Sequence, residues 1–162
     1  MRPKTLDEVV GQAHVLGEGK LNKDDSETVL VMDDYAHHPT EIEATLSAAR
    51  ATYPGRRLVA AFQPHLYSRT RDFAEEFGAA LALADVALVA DLYPAREQPI
   101  PGVTAALVAR ATEAAGKPVT WEGPRAQMAA ALARAVRAGD IVITLGAGDV
   151  TKTGPELLAL LP

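Results

Sequence analysis

The sequence predicts a three-layer, Rossmann-like α/β domain: a mostly parallel sheet of five to six strands with helices on both faces. Three observations point to it. Short runs rich in Val, Ile and Leu recur with little in–out alternation, as expected of strands covered on both faces. Segments with helical apolar spacing separate these runs, so the repeated unit is strand then helix, which implies parallel pairing with right-handed crossovers. Stop signals such as "YPG" at 53–55, "AAGKP" at 114–118 and "RAGD" at 137–140 fall in the gaps between units. A length of 162 residues suits one domain with its own core.

In chain order, residues 1–27 stand outside this rhythm. They predict a short helix at most, over 5–10, and a polar linker, "LNKDDSE", over 21–27. The expectation is a leader or linker, foreign to the domain or poorly ordered, with the domain itself at 28–162. The predicted strands are "TVLVM" (28–32), "RLVAAF" (57–62), "DVALVA" (85–90), "PVTW" (118–121) and "DIVITL" (140–145). The intervening helices carry the stripes Ile42, Leu46, Ala49 and Tyr53; then Phe73, Phe77, Ala80 and Leu81; then Val103, Leu107 and Ala111; then Met128, Leu132 and Val136; and finally Leu157 to Leu161.

Composition narrows the class. At 48% hydrophobic and 23% charged, the chain is ordinary for a soluble globular protein. No apolar run approaches the ~20 residues of a membrane span, and the N-terminal residues lack the apolar centre of a secretory signal. The absence of cysteine excludes disulfides and thiolate zinc sites and is compatible with a cytoplasmic setting. A net charge of -5 without a long basic run argues against general nucleic-acid binding. It leaves room for a single nucleotide held by local donors.

In an open parallel sheet, ligands bind beyond the carboxyl ends of the strands. The segment "DDYAHHPTEI" (33–42) lies at that edge. Pro39 suits a first helical turn and Glu41 suits the positive end of the helix dipole. Asp33, Asp34, Tyr35, His37 and His38 exceed what capping requires. Adjacent His37 and His38 cannot readily face one ion, so no metal site is expected here. Three further polar loops follow strands: "FQPHLYSRT" (62–70), with Gln63, His65, Tyr67, Ser68, Arg69 and Thr70; "DLYPAREQPIPG" (91–102); and "GAGDVTKTGP" (146–155). The helix after the first of these is expected to start near Asp72. Arg69 offers a forked donor suited to carboxylate or phosphate. Four polar loops at one edge are a stronger sign of a ligand site than any one alone.

In order and spacing, "DDYAHHPTEI", "FQPHLYSRTRDF", "DLYPAREQPIPGV" and "LGAGDV" resemble the C-terminal domain of the UDP-N-acetylmuramate–L-alanine ligases, within the Mur ligase family. The resemblance covers about residues 28–162. It implies a closing domain that supplies part of the ATP and amino-acid sites of an enzyme joining L-alanine to UDP-N-acetylmuramate. By that likeness Asp34 meets the ATP ribose, Tyr35 lies by the adenine, His37 sits near the incoming alanine, and Arg69 binds its carboxylate or steadies the phosphates. His65, Tyr93 and Glu97 shape the same pocket, and Asp149 lies near it.

The likeness also implies partners outside this sequence: N-terminal and central ligase domains, the latter carrying the ATP loop and most of the Mg2+ ligands. No G-x-x-x-x-G-K-[ST] phosphate loop occurs in the chain, so the chain alone is expected to be inactive. Leu66 stands where the family often carries arginine, which removes one cation. Residues 1–21 instead resemble the start of clamp-loader-like AAA+ recombination ATPases. That leaves other readings: a non-catalytic nucleotide-binding module, an engineered or rearranged chimaera, or a domain of the recycling ligase that attaches a whole peptide to UDP-N-acetylmuramate.

Overall fold

A computed structural model describes residues 28–162 in full and residues 13–20 as backbone. The helix expected over 5–10 and the linker at 21–27 lie outside the described residues. The strands are β1 (Ala13–Lys20), β2 (Thr28–Asp34), β3 (Leu58–Phe62), β4 (Val86–Ala90), β5 (Val119–Gly123) and β6 (Ile141–Leu145). The helices are α1 (Pro39–Thr52), α2 (Tyr67–Leu81), α3 (Ala106–Ala114), α4 (Arg125–Ala135) and α5 (Thr153–Leu160), with a 3-10 turn at Asp149–Lys152.

The six-stranded sheet has the order β1-β2-β6-β3-β4-β5. Five strands, β2 to β6, pair in parallel, as the strand–helix alternation requires. β1 pairs antiparallel with β2, from Ala13 opposite Asp34 to Lys20 opposite Thr28. The sequence reading assigned 13–20 no element. An antiparallel edge strand needs no crossover helix, so the strand–helix rhythm that revealed its neighbours carries no trace of it.

Side chains alternate between two apolar clusters. Leu58, Ala60 and Phe62 of β3 face the layer formed by α1, α2 and α3, while Val59 and Ala61 face that of α4 and α5. The connections from β2 through β5 run one way along the sheet, and the step from β5 to β6 runs back. A right-handed crossover must then change face, and it does at α4.

The predicted stripes locate most of the buried faces, though of Leu157 to Leu161 only Leu157 is buried and Leu160 is 55% exposed. Phe73 is 37% exposed, because α2 is kinked there (φ -122°, ψ 17°). The same kink explains why the helix expected to start near Asp72 begins instead at Tyr67. In α3 the buried positions are Val108, Ala109 and Thr112 rather than Leu107 and Ala111. At β5, Thr120 and Glu122 are exposed, since the strand forms the sheet's other edge, while Val119 packs against one cluster and Trp121 against the other.

Candidate functional site

The sheet order places the loops after β2, β6, β3 and β4 side by side at the carboxyl edge. Backbone bonds lace them together. The Gly146 N–H donates to the Asp34 carbonyl at 3.2 Å, and the Gln63 N–H to the Leu145 carbonyl at 3.0 Å. His65 and Tyr93 form a parallel bridge, in which Leu66 N–H donates to the Tyr93 carbonyl at 2.9 Å and Tyr93 N–H to the Pro64 carbonyl at 2.8 Å. The Gln63 amide then spans to the loop after β6, donating to Asp149 Oδ1 at 2.9 Å and accepting the Val150 N–H at 3.0 Å. Gly148 admits this close approach. A Cβ there would lie 2.6 Å from Gln63 Oε1 and 2.7 Å from the Tyr93 ring.

Four rings from three loops stand in a row across this edge. Tyr35 and His37 lie 5.4 Å apart edge-on, His37 and His65 6.3 Å apart, and His65 stacks on Tyr93 at 5.7 Å. The Tyr35 ring is 47% exposed. His38 bridges from this row to a neighbouring groove, its ring 6.0 Å from that of His37. Its ring meets Phe73 edge-on at 5.4 Å and lines a groove of about 390 Å³ between α1 and α2. The first turn of α1 has the predicted signature, with Pro39 at its start and the Glu41 carboxylate accepting the His37 and His38 N–H groups at 2.9 and 3.4 Å.

Hydrogen-bond partners fix the role of one nitrogen in each of two rings. A guanidinium only donates, so the 3.1 Å contact of Arg69 Nη1 with His65 Nδ1 makes Nδ1 the lone-pair nitrogen and puts the proton on Nε2. His37 is the reverse. Its Nδ1 lies 2.9 Å from the Tyr35 carbonyl, which only accepts, so Nδ1 is the donor. Burial, with the charge of Arg69 second, holds His65 below the usual histidine range.

Arg69 is thus a half-buried cation held by a neutral imidazole, and among the described residues no carboxylate reaches ion-pair distance of it. Glu97, reached from the loop after β4, accepts both the N–H (3.0 Å) and the hydroxyl of Ser68. Asp149 engages Gln63 and, at 3.5 Å, Arg125.

Asp34 differs most from its expected role. It is 1% exposed and faces inward, where one carboxylate oxygen accepts the Thr45 hydroxyl at 2.5 Å and the other the Ala36 N–H at 3.0 Å. Burial raises its carboxyl above the usual range despite those bonds. Each oxygen keeps a second lone pair, so what stands between this carboxylate and a ribose is its burial rather than those bonds. Its neighbour Asp33 accepts the Thr144 hydroxyl at 2.5 Å. Sequence reasoning also gave no role to Thr45 or Thr144, buried hydroxyls on an apolar helix and strand whose partners are 11 and 111 residues away.

With this geometry in place, the relatives are informative. The Mur ligase, glutamate ligase domain family pattern matches residues 21–148. A UDP-N-acetylmuramate–L-alanine ligase of Cutibacterium acnes is 60% identical over 134 residues, covering 82% of this chain and 28% of that protein. One from Kineococcus radiotolerans is 57% identical over 139 residues, covering 86% of this chain and 30% of that protein. The crystal structure of a UDP-N-acetylmuramate-alanine ligase from Thermotoga maritima superposes with a TM-score of 0.68 at 23% identity, over 86% of this chain and 28% of the other, and so shares the fold. The chain spans about 28% of the length of the Cutibacterium relative. By the family match along most of its length, this chain belongs to the Mur ligase C-terminal, or glutamate ligase, domain family.

Proposed function

We propose that this chain is the closing domain of an ATP-dependent ligase that joins L-alanine to UDP-N-acetylmuramate in peptidoglycan synthesis, working in the cytoplasm. The observation that carries this reading is Arg69, a forked cation at the ligand edge bonded to a neutral ring and to no carboxylate among the described residues. A buried-edge guanidinium in that state is suited to take an anion by two parallel charge-assisted bonds. Identity of up to 60% to UDP-N-acetylmuramate–L-alanine ligases supports the alanine carboxylate as that anion, with the ATP phosphates as the alternative.

The other residues fit around it. His37, whose Nδ1 is taken by the Tyr35 carbonyl, presents Nε2 to the alanine amine. Tyr35 offers an exposed ring to the adenine. His65 and Tyr93 hold the guanidinium's near side by stacking, and Asp34 shapes the loop that carries Tyr35 and His37. No three His, Cys, Asp or Glu side chains converge to hold a metal among the described residues. In this reading the Mg2+ that accompanies ATP is held mainly by the central ligase domain. Phosphoryl transfer requires charge neutralisation around the moving phosphoryl group, so the domain works with its N-terminal and central partners and is inactive alone.

Grafting the chain onto the N-terminal and central portions of the Cutibacterium acnes ligase tests this. The graft should release phosphate from ATP only when alanine and UDP-N-acetylmuramate are both present. Arg69→Ala should cut efficiency with alanine by ~10-fold or more, since each charge-assisted bond contributes roughly 1.5–3 kcal/mol. A folded graft with no alanine-dependent turnover, or with turnover indifferent to Arg69, overturns the reading.

A further inference from the structure

We infer that Glu97 is a positioning residue: it fixes the first turn of α2 from the neighbouring loop and thereby holds Arg69 at the site, rather than touching ligand itself. The inference rests on the reading of Arg69 as the anion-binding group only for its functional consequence.

The first turn of α2 has a capping problem. The opening N–H groups of a helix lack intrahelical partners and call for an acceptor nearby, best an anion. The residue before this helix is Leu66, at φ 71°, with no oxygen in its side chain, and the first turn contains no acid. Glu97 supplies the acceptor from 29 residues away, taking the Ser68 N–H on one oxygen and the Ser68 hydroxyl on the other. Ser68 adjoins Arg69 in the chain, so the bond immobilises the backbone from which the guanidinium projects.

Glu97 is itself held. Its N–H donates to the Pro94 carbonyl at 3.0 Å across a turn in which Ala95 adopts φ 53°, a left-handed conformation uncommon for a residue with a Cβ. The adjoining Tyr93 is clipped to the loop after β3 by two backbone bonds. Both carboxylate oxygens are engaged by Ser68, and neither forms an ion pair with Arg69. The arrangement orders the cation without neutralising it at contact distance. A carboxylate paired with Arg69 would have consumed the fork that an anionic ligand needs.

The neighbouring imidazole provides a readout in the ligand-free chain. The charged and titratable groups that face His65 are Arg69 from α2, His37 from the loop after β2, and Glu97 and Tyr93 from the loop after β4. Arg69 lowers the His65 pKa and Glu97 raises it. If Glu97 acts only as a nearby charge, Glu97→Gln must lower the His65 pKa further. If Glu97 positions Arg69, the same substitution lets the guanidinium leave Nδ1, and the pKa rises toward 6.5.

The experiment is a 15N NMR titration of the histidine rings in the purified chain, comparing wild type, Glu97→Gln, Arg69→Ala and the double variant. The expected result is an upward shift in Glu97→Gln and in Arg69→Ala, with no further rise when the two are combined. Ser68→Ala, which removes only the hydroxyl, should shift His65 upward by less and serves if Glu97→Gln does not fold. A fall or no change in the single Glu97 or Ser68 variant, or the same upward step from Glu97→Gln in the Arg69→Ala background, overturns the proposal. The titration involves no ligand, so its outcome is independent of whether the graft uses alanine.

Discussion

The two edges of this sheet handle charge in opposite ways. At the amino edge, acids and arginines meet directly: Arg57 binds Asp140 through Nε at 3.0 Å and Nη2 at 2.7 Å, and Arg50 lies 2.9 Å from Asp85. Arg56 there donates to the carbonyls of Gly139 and Thr28, tying three chain segments together. At the carboxyl edge the central groups are held by neutral partners instead. Asp34 takes a hydroxyl and an N–H, Glu97 the same from Ser68, and Arg69 an imidazole. Direct pairing at that edge includes Arg125 with Glu156 at 2.7 Å and Asp149 at 3.5 Å, Arg71 with Asp72 at 2.8 Å, and the His37 ring 3.5 Å from Glu41, but it does not reach Arg69. Charge cancelled in place contributes rigidity, and charge held by neutral groups stays available to a ligand. One edge is a clamp and the other a socket.

The contrast predicts stability effects of decreasing size. The largest should come from Asp140→Ala at the amino edge. Asp140 is 2% exposed and also accepts the Arg137 N–H at 2.8 Å, so its loss should cost roughly 3 kcal/mol, as when a buried pair loses one partner. Urea denaturation reads this directly, and a loss near zero would show that the amino edge is no clamp.

Next is Gly148→Ala in the socket. The added Cβ collides with Gln63 and the Tyr93 ring, so overpacking should cost roughly 1–3 kcal/mol. It should also loosen the His65–Tyr93 stack, visible as a change in the ring signals of both residues.

Asp34→Asn should cost about 1 kcal/mol, because an amide replaces only part of the acceptor set used by Thr45 and Ala36. Its sharper signature is in pH. The folded carboxyl titrates above its ordinary value of 3.8 because of burial. Between 3.8 and that raised value the native state therefore binds a proton the unfolded state has released, and stability rises as pH falls through the window. Urea unfolding from pH 7 to pH 4 should show that gain in wild type and lose it in the variant. An identical profile for the two proteins would mean that Asp34 titrates as though solvated.

The smallest stability effect should be Arg69→Ala, within about 0.5 kcal/mol, since its hydrogen bond to His65 is to a neutral ring. Its effect belongs in alanine use by the grafted enzyme, where lysine should rescue only partly because it lacks the fork. A loss of stability rivalling that of Asp140→Ala would erase the distinction between the edges.

Much of this was legible in the sequence. Apolar runs covered on two faces and separated by helical stripes determine a parallel, doubly wound sheet, because only that arrangement buries both faces of each strand. The same alternation brings the loops carrying Tyr35, His37, His65, Arg69, Tyr93 and Glu97 to one edge, since parallel strands all end on the same side. What the tertiary structure alone decided is which of these side chains stand at the open edge and which turn to other parts of the protein. Asp34 turns inward to Thr45, His38 turns to Phe73, and Glu97 closes on Ser68. It also decided that Ala13–Lys20 would pair along the open edge of β2. For Asp34 and Glu97, as for Asp33, the physical reason is common. Period and composition are properties of neighbours along the chain, whereas a hydrogen-bond partner is chosen from groups 11 to 111 residues away that only the packed sheet brings within 3 Å.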